Sequence, residues 1–487
     1  MRFAMNSSIL RRIVVAVGGA LLLTHCAQNP VSGGRDFVLM SEQQEIQQGA
    51  QAHKEVLQEY GLVNDPQLQA YVTRVGKGLA AKSQRPNLDW HFTVVDSPEV
   101  NAFALPGGYV YVTRGIMAYL NSEAELAGVV GHEIGHVTAR HGVRQQSAAT
   151  AVGLGVMLGS ILVPGLNNQT GASLLQTLGQ SLVAGYGRDH ELEADRLGAE
   201  YLAKTGYNPQ AMVEVIGVLK NQELYDVELA KQEGREPRRY HGLFDTHPDN
   251  DTRLKQVVGE AKKYQVVNPF DNRDAYLHVM NGVNFGDSPD QGVIRHNALL
   301  HEKLGIAVQF PQGWRIQNQP DRVAAINPQG TALVELKPGA KNTPPMDTLQ
   351  KGLKLDQGAR YESGSINGNP AAFAAGVLQG KPVLAAAINY NGNQFLLAAL
   401  AKDTNAYNQY RNEMKATINS FHKLSPEERQ QARPYVIHVI QAQPGTTMAQ
   451  LAAQSPLGKS AEAQLRLMNE LYPSGEPKPG QLIKIIQ

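Results

Sequence analysis

The chain has 487 residues, 42% of them hydrophobic and 18% charged, with a formal net charge of +1. This is ordinary globular composition with room for about two to four domains, and the near-zero charge gives no reason to expect nucleic acid or a strongly charged substrate as a partner. A single cysteine, Cys26, excludes any disulfide within the chain.

In chain order, Arg2, Arg11 and Arg12 precede an apolar run from Ile13 to Leu23. The run is too short for a spanning helix and suits a signal-peptide core, so 1–25 reads as a signal peptide. Leu23-Thr24-His25-Cys26 resembles a bacterial lipobox. That resemblance implies lipidation of Cys26, a membrane anchor through it and an exported, periplasmic protein, and Ala27 in place of Asp favours the outer membrane. An exported chain that reserves its one thiol for this position fits the same reading. Residues 26–40, rich in Gly, Asn and Pro, read as a tether. Ser41 and Gln44 form a capping box before a polar helix to about Tyr60, and Asp65-Pro66 opens a second helix with Leu68, Val72, Val75 and Leu79 on one side. Trp90 to Val95 alternates as a strand, and Tyr109 to Thr113 forms another beyond a Pro-Gly-Gly turn.

Ser122 and Glu125 make a capping box ahead of Leu126, Val129, Val130, Ile134 and Val137, which predicts a helix from about Glu123 to Arg140. On it His132, Glu133 and His136 spell H-E-x-x-H. Residues four apart share a helix face, so two imidazoles can point at one Zn²⁺, with Glu133 beside them to take a proton from activated water. A third ligand is expected on 186–198, where Glu191 and Asp195 lie four apart on another predicted helix and Asp189, His190 and Glu193 compete with them. A hard carboxylate completes a His₂Glu set and leaves one position open, as a catalytic zinc requires. Asp195 is then free to accept the N–H of a ligand imidazole.

H-E-x-x-H followed by the E-x-x-A-D of Glu191 to Asp195 resembles the zinc metallopeptidase family of the CaaX prenyl proteases, HtpX and the periplasmic BepA-like proteases. Asn101 to Gly115 and Thr246 to Arg253 carry two further family marks, and the resemblance extends over about 41–263. It implies a peptidase domain at 41–265 with one zinc held by His132, His136 and Glu191, supported by Asp195. Glu133 is implied as general base in endoproteolysis of protein or peptide substrates, with misfolded or misassembled envelope proteins as the substrate class. His247 and Arg253 are implied to reach the active site, where they stabilise the oxyanion; His247 alternatively fills the open zinc position. The strands are implied to lie above the metal, with Asn101, Ala102, Phe103 and Ala104 binding substrate as an added strand.

Farther along, 150–164 reads as a buried apolar helix, with a mobile lid as the alternative, and 165–171 as a flexible loop that could gate the site. Met212, Val215, Ile216 and Leu219 mark a core helix. Residues 269–421 read as an α+β accessory domain: strands at 306–316, 322–327 and 332–337, hairpin signals at Asn367-Gly368 and Asn391-Gly392, a closing helix at 407–421, and Trp314 as a core anchor. A polar linker spans 422–433. In 434–487, Tyr435 to Met448, a helical middle and Pro477 to Ile486 resemble a LysM module of strand-helix-helix-strand order, which implies peptidoglycan as a partner; a small structural cap is the equal alternative. The expected fold class is a multidomain α+β chain: a mainly helical zincin-type (gluzincin) peptidase domain with a small sheet, then an α+β domain and a LysM-like βααβ module. The rival functions are a peptidoglycan-associated hydrolase or binder and a chaperone-like factor that uses the groove without cleavage.

Overall fold

The computed structural model describes residues 26–148, 187–233, 259–264 and 266–487. The signal peptide read at 1–25, the apolar run at 150–164 and the loop at 165–171 lie outside the described residues, as do His247 and Arg253.

Residues 26–40, read as a tether, contain a hairpin in which β1 (Cys26–Gln28) pairs antiparallel with β2 (Arg35–Phe37). Asn29 closes it: its side-chain oxygen accepts from the N–H groups of Val31 and Ser32, and its amide donates to Asp36 at 2.7 Å. Such a turn orders a stretch whose Gly and Pro content alone suggests a loose one. α1 (Glu42–Tyr60) starts at Ser41 with both halves of the capping box to Gln44 made. α2 (Pro66–Ala80) starts at Asp65, whose carboxylate accepts from Gln67 and Leu68 N–H. Leu68, Val72, Val75 and Leu79 are at most 2% exposed, and each contributes on the order of 2 kcal/mol by leaving water.

These helices flank a small sheet of β3 (His91–Val95), β4 (Ala102–Leu105) and β5 (Tyr109–Thr113). Trp90 precedes the sheet rather than joining it, since pairing with β5 starts at His91, and its indole N–H donates to Arg85 O. The order is β3–β5–β4, with β3 parallel and β4 antiparallel to β5, so β4 is an outer strand. The turn before β5 needs its glycines: Gly107 and Gly108 have φ of +84° and +99°, and a Cβ on Gly107 would stand 2.8 Å from Ile46 Cα. α3 (Arg114–Tyr119) leads to α4 (Glu123–Thr138), all of whose residues are buried. α5 (Arg188–Thr205) and α6 (Ala211–Glu233) pack on it, and Met212, Val215, Ile216 and Leu219 are core, none more than 6% exposed.

α7 (Arg273–Met280) and β6 (Asn284–Phe285) stay with this core, since Tyr276, Leu277 and Met280 are buried in it. Beyond them come β7 (Val293–Arg295), β8 (Ala298–His301), β9 (Ile306–Gln309), β10 (Arg315–Gln319), β11 (Arg322–Ile326) and β12 (Ala332–Pro338). The strand read at 306–316 is thus two, broken where Pro311 lacks an N–H and Gly313 takes φ +77°. β13 (Arg360–Ile366), β14 (Asn369–Leu378), β15 (Lys381–Tyr390) and β16 (Asn393–Ala401) complete a seven-stranded antiparallel sheet in the order β10–β11–β12–β16–β15–β14–β13. Asn367-Gly368 and Asn391-Gly392 form its tight turns, all four residues at positive φ, as type I′ geometry demands. α8 (Thr404–Asn419) covers this sheet, and Trp314 is 7% exposed against Tyr410.

The segment read as a linker, 422–433, has structure of its own. β17 (His422–Lys423) joins a four-stranded sheet in the order β17–β9–β8–β7, and α9 (Pro426–Gln431) carries a Ser425–Glu428 capping box. The final residues form β18 (Tyr435–Gln441), α10 (Met448–Ala452), α11 (Ala461–Met468) and β19 (Leu482–Ile486). The expected strand-helix-helix-strand order is present, but the unit does not stand apart. β18 pairs with β19 on one side and β6 on the other, and Ile437, Met448, Leu465, Ile483 and Ile486 belong to the same hydrophobic core as α2 and α4. No described helix is long and apolar enough to cross a membrane.

Candidate metal centre

α4 begins at Ser122, whose hydroxyl accepts from Glu125 N–H. The Glu125 carboxylate departs from the expected box, accepting from Asn121 N–H and the Ser122 hydroxyl. Three turns on, His132 and His136 face α5 across a close helix contact. Glycine permits that closeness: a Cβ on Gly135 would stand 3.0 Å from Ala194 O, and one on Gly198 would stand 3.2 Å from His132 N. The result brings Glu191 and Asp195 of α5 to the two imidazoles, with all four residues at most 5% exposed.

Three of these groups converge. His132 Nε2 lies 3.0 Å from His136 Nε2, and Glu191 oxygens lie 3.5 Å from the first and 3.4 Å from the second. The two Glu191 distances are made by different oxygens, Oε2 to His132 and Oε1 to His136, and one ligand atom from each of the three residues lies within 4.8 Å of the others, close enough for a single ion with ligand distances of about 2.0–2.1 Å. The donor set fits as well. Asp195 Oδ1 lies 2.8 Å from His132 Nδ1, and His141 Nδ1 lies 2.9 Å from His136 Nδ1. With each ring's proton drawn to its Nδ1 side, two Nε2 lone pairs face each other beside a carboxylate, an arrangement that a cation stabilises. Among the described residues His132, His136 and Glu191 form the one group of this kind.

The competitors for the third ligand go elsewhere. Asp189 is exposed, His190 stacks on His141 with ring centroids 4.3 Å apart, and Glu193 lies 3.1 Å from His141 Nε2. Burial lowers the His141 pKa below its usual value against the pull of Glu193, while the Glu193 carboxyl is held at about 2, chiefly by its hydrogen bond with His141. Glu133, next to His132, is 1% exposed. Asn101 and Ala102 are buried, while Phe103 and Ala104 of β4 are half-buried; Ala104 and His136 both line a small pocket.

Residues 66–261 match peptidase family M48. The chain carries an M48 peptidase domain. Similar proteins include the beta-barrel assembly-enhancing protease of Escherichia coli (strain K12), 32% identical over 242 residues, which are 48% of this chain and 47% of that protein. The same-named protein of Yersinia pestis is 35% identical over 42% of this chain and 40% of its own length. The mitochondrial metalloendopeptidase OMA1 of Schizosaccharomyces pombe is 34% identical over 41% of this chain and 58% of its own. The chain thus spans about half the length of the curated relatives it matches.

One feature of the M48 domain escaped the sequence reading. The metal helix ends at Thr138, short of the expected Arg140, and Arg140 takes φ +56°. A side chain there costs about 1 kcal/mol, offset by a buried network: Arg140 Nε lies 2.9 Å and Arg85 2.8 Å from opposite oxygens of Glu45, which is 1% exposed. The helix restarts over 141–148, and the break places His141 against His136.

Proposed function

We propose that this protein is a zinc-dependent endopeptidase of the bacterial cell envelope that hydrolyses peptide bonds of misfolded or misassembled periplasmic and outer-membrane proteins. The observation that carries the chemistry is the convergence of His132, His136 and Glu191 to within reach of one ion beside Glu133. Zinc bound there supplies Lewis-acid polarisation of water and of the scissile carbonyl. Asp195 orients His132. Glu133 removes the proton of the attacking water and returns it to the leaving amine. Asn101, Ala102, Phe103 and Ala104 hold the substrate backbone by adding it as a strand outside β4, and His247 and Arg253 stabilise the developing oxyanion. The names of the assembly-enhancing relatives support the envelope setting, as do the signal-like residues 1–25 and the lipidation reading of Cys26, which would anchor the chain to the outer membrane.

The test is zinc content and casein cleavage, measured side by side on wild type and Glu133→Gln, both made without residues 1–26. Both proteins are expected to bind one zinc, and the variant to cut at least about 100-fold more slowly. A wild type that binds no zinc, or a variant that cuts as fast as wild type, would overturn the reading.

A further inference from the structure

We infer that His141, itself held by Glu193, is the positioning residue for the ligand His136; this rests on the zinc-site reading above. The two ligand imidazoles are supported differently. His132 Nδ1 meets a carboxylate directly at 2.8 Å, whereas His136 Nδ1 meets a second imidazole, His141 Nδ1, at 2.9 Å with the rings 74° apart. Two ring nitrogens share a hydrogen bond only when one carries the proton and the other does not. His136 must offer the Nε2 lone pair to the ion, so its proton is on Nδ1 and His141 Nδ1 accepts it. The His141 proton is then on Nε2, where it donates to the Glu193 carboxylate at 3.1 Å. A carboxylate only accepts, so this is the one proton arrangement that satisfies every atom in the row.

The row exists because the helix breaks. On a continuous α-helix a residue five positions on is turned by about 140° and would face away from His136; the left-handed residue Arg140 folds His141 back. His141 is fully buried, and Arg144 donates at 3.3 Å to the same Glu193 oxygen, Oε2, that His141 Nε2 meets. Arg144 reaches in turn to Asp36 of the N-terminal hairpin at 3.5 Å. A partner of this kind fixes the orientation and tautomer of a ligand imidazole and raises its basicity, and its loss typically weakens metal binding about 10- to 100-fold.

The experiment uses the full chain and reads zinc affinity by chelator competition, together with the visible spectrum of the Co²⁺-substituted protein. His141→Phe keeps the ring volume and removes the acceptor; His141→Asn returns an acceptor near the Nδ1 position. The Phe variant should bind zinc about 10- to 100-fold more weakly with a shifted cobalt spectrum, and the Asn variant should recover most of the loss. Glu193→Leu, at a partly exposed position, should weaken binding in the same direction and serves if the Phe variant does not fold. Equal zinc affinity in wild type and in the Phe and Leu variants would overturn the inference, as would equal weakening by Phe and Asn. A wild type that takes up no zinc is a different result, because it overturns the zinc reading itself.

Discussion

Glu123, at the start of the metal helix, is a carboxylate sealed into the core. Arg74 at 2.5 Å, Tyr207 at 2.6 Å and Asn272 at 2.8 Å surround it. Burial pushes the carboxyl up, but these hydrogen bonds outweigh it and hold the pKa at about 2 against an ordinary 4.5. A depressed carboxyl stabilises the fold fully above its unfolded value and loses that contribution as pH falls through the folded one, so the window runs from about 4.5 down to about 2. The contribution at neutral pH is roughly 3 kcal/mol at most. Glu123→Gln should therefore lower the Tm at pH 7, and the gap to wild type should narrow as thermal unfolding is repeated toward pH 3. A constant gap would mean that packing, not charge, is what the variant removes.

Among the elements, β19 does more than complete a hairpin with β18. Its Lys484 is fully buried beneath the loop between α3 and α4, where the ammonium donates to Ala118 O at 2.7 Å and Leu120 O at 2.5 Å. Burial draws this lysine down from its usual value and pushes neighbouring Glu125, in the first turn of the metal helix, up. The last strand is thus pinned to the start of the metal helix. Lys484→Met leaves two buried carbonyls without their donor and should cost about 2–4 kcal/mol, seen as a drop in the urea midpoint with an unchanged slope. A loss below about 0.5 kcal/mol, the usual size for a surface change, would show that the carbonyls find other partners.

For the whole molecule, the shared core changes what a truncation means. A separate C-terminal module could be removed without consequence for the peptidase domain. Here removal of 434–487 strips Ile437, Leu465 and Ile483 from the core of α2 and α4 and leaves β6 unpaired on that side. A chain ending at Arg433 should show a Tm lower by at least about 5 °C and reduced zinc retention, by calorimetry and metal analysis. An unchanged Tm for the metal-site transition would mean that the contact carries little energy. Murein pull-down with this truncation therefore needs a folding control, since lost binding and lost fold would look alike.

Local chemistry made a good part of this protein legible in its sequence. The capped starts of α1 and α2, the Asn-Gly turns and the i, i+4 histidines are each set within a few residues, by hydrogen bonds and φ preferences that no distant contact overrides. The pairing of Glu191 and Asp195 with those histidines was legible because both segments are helical and the resemblance linked them. Tertiary structure alone decided the rest. His141 and Glu193 meet because Arg140 adopts a left-handed turn, and that turn is held by Glu45, some 95 residues away. The hairpin at 26–40, the docking of β18 on β6 and the burial of Lys484 likewise depend on surfaces far apart in sequence. Periodicity and capping report only what a residue does to its near neighbours, whereas a buried charge is acceptable or ruinous according to the partner that the fold brings to it.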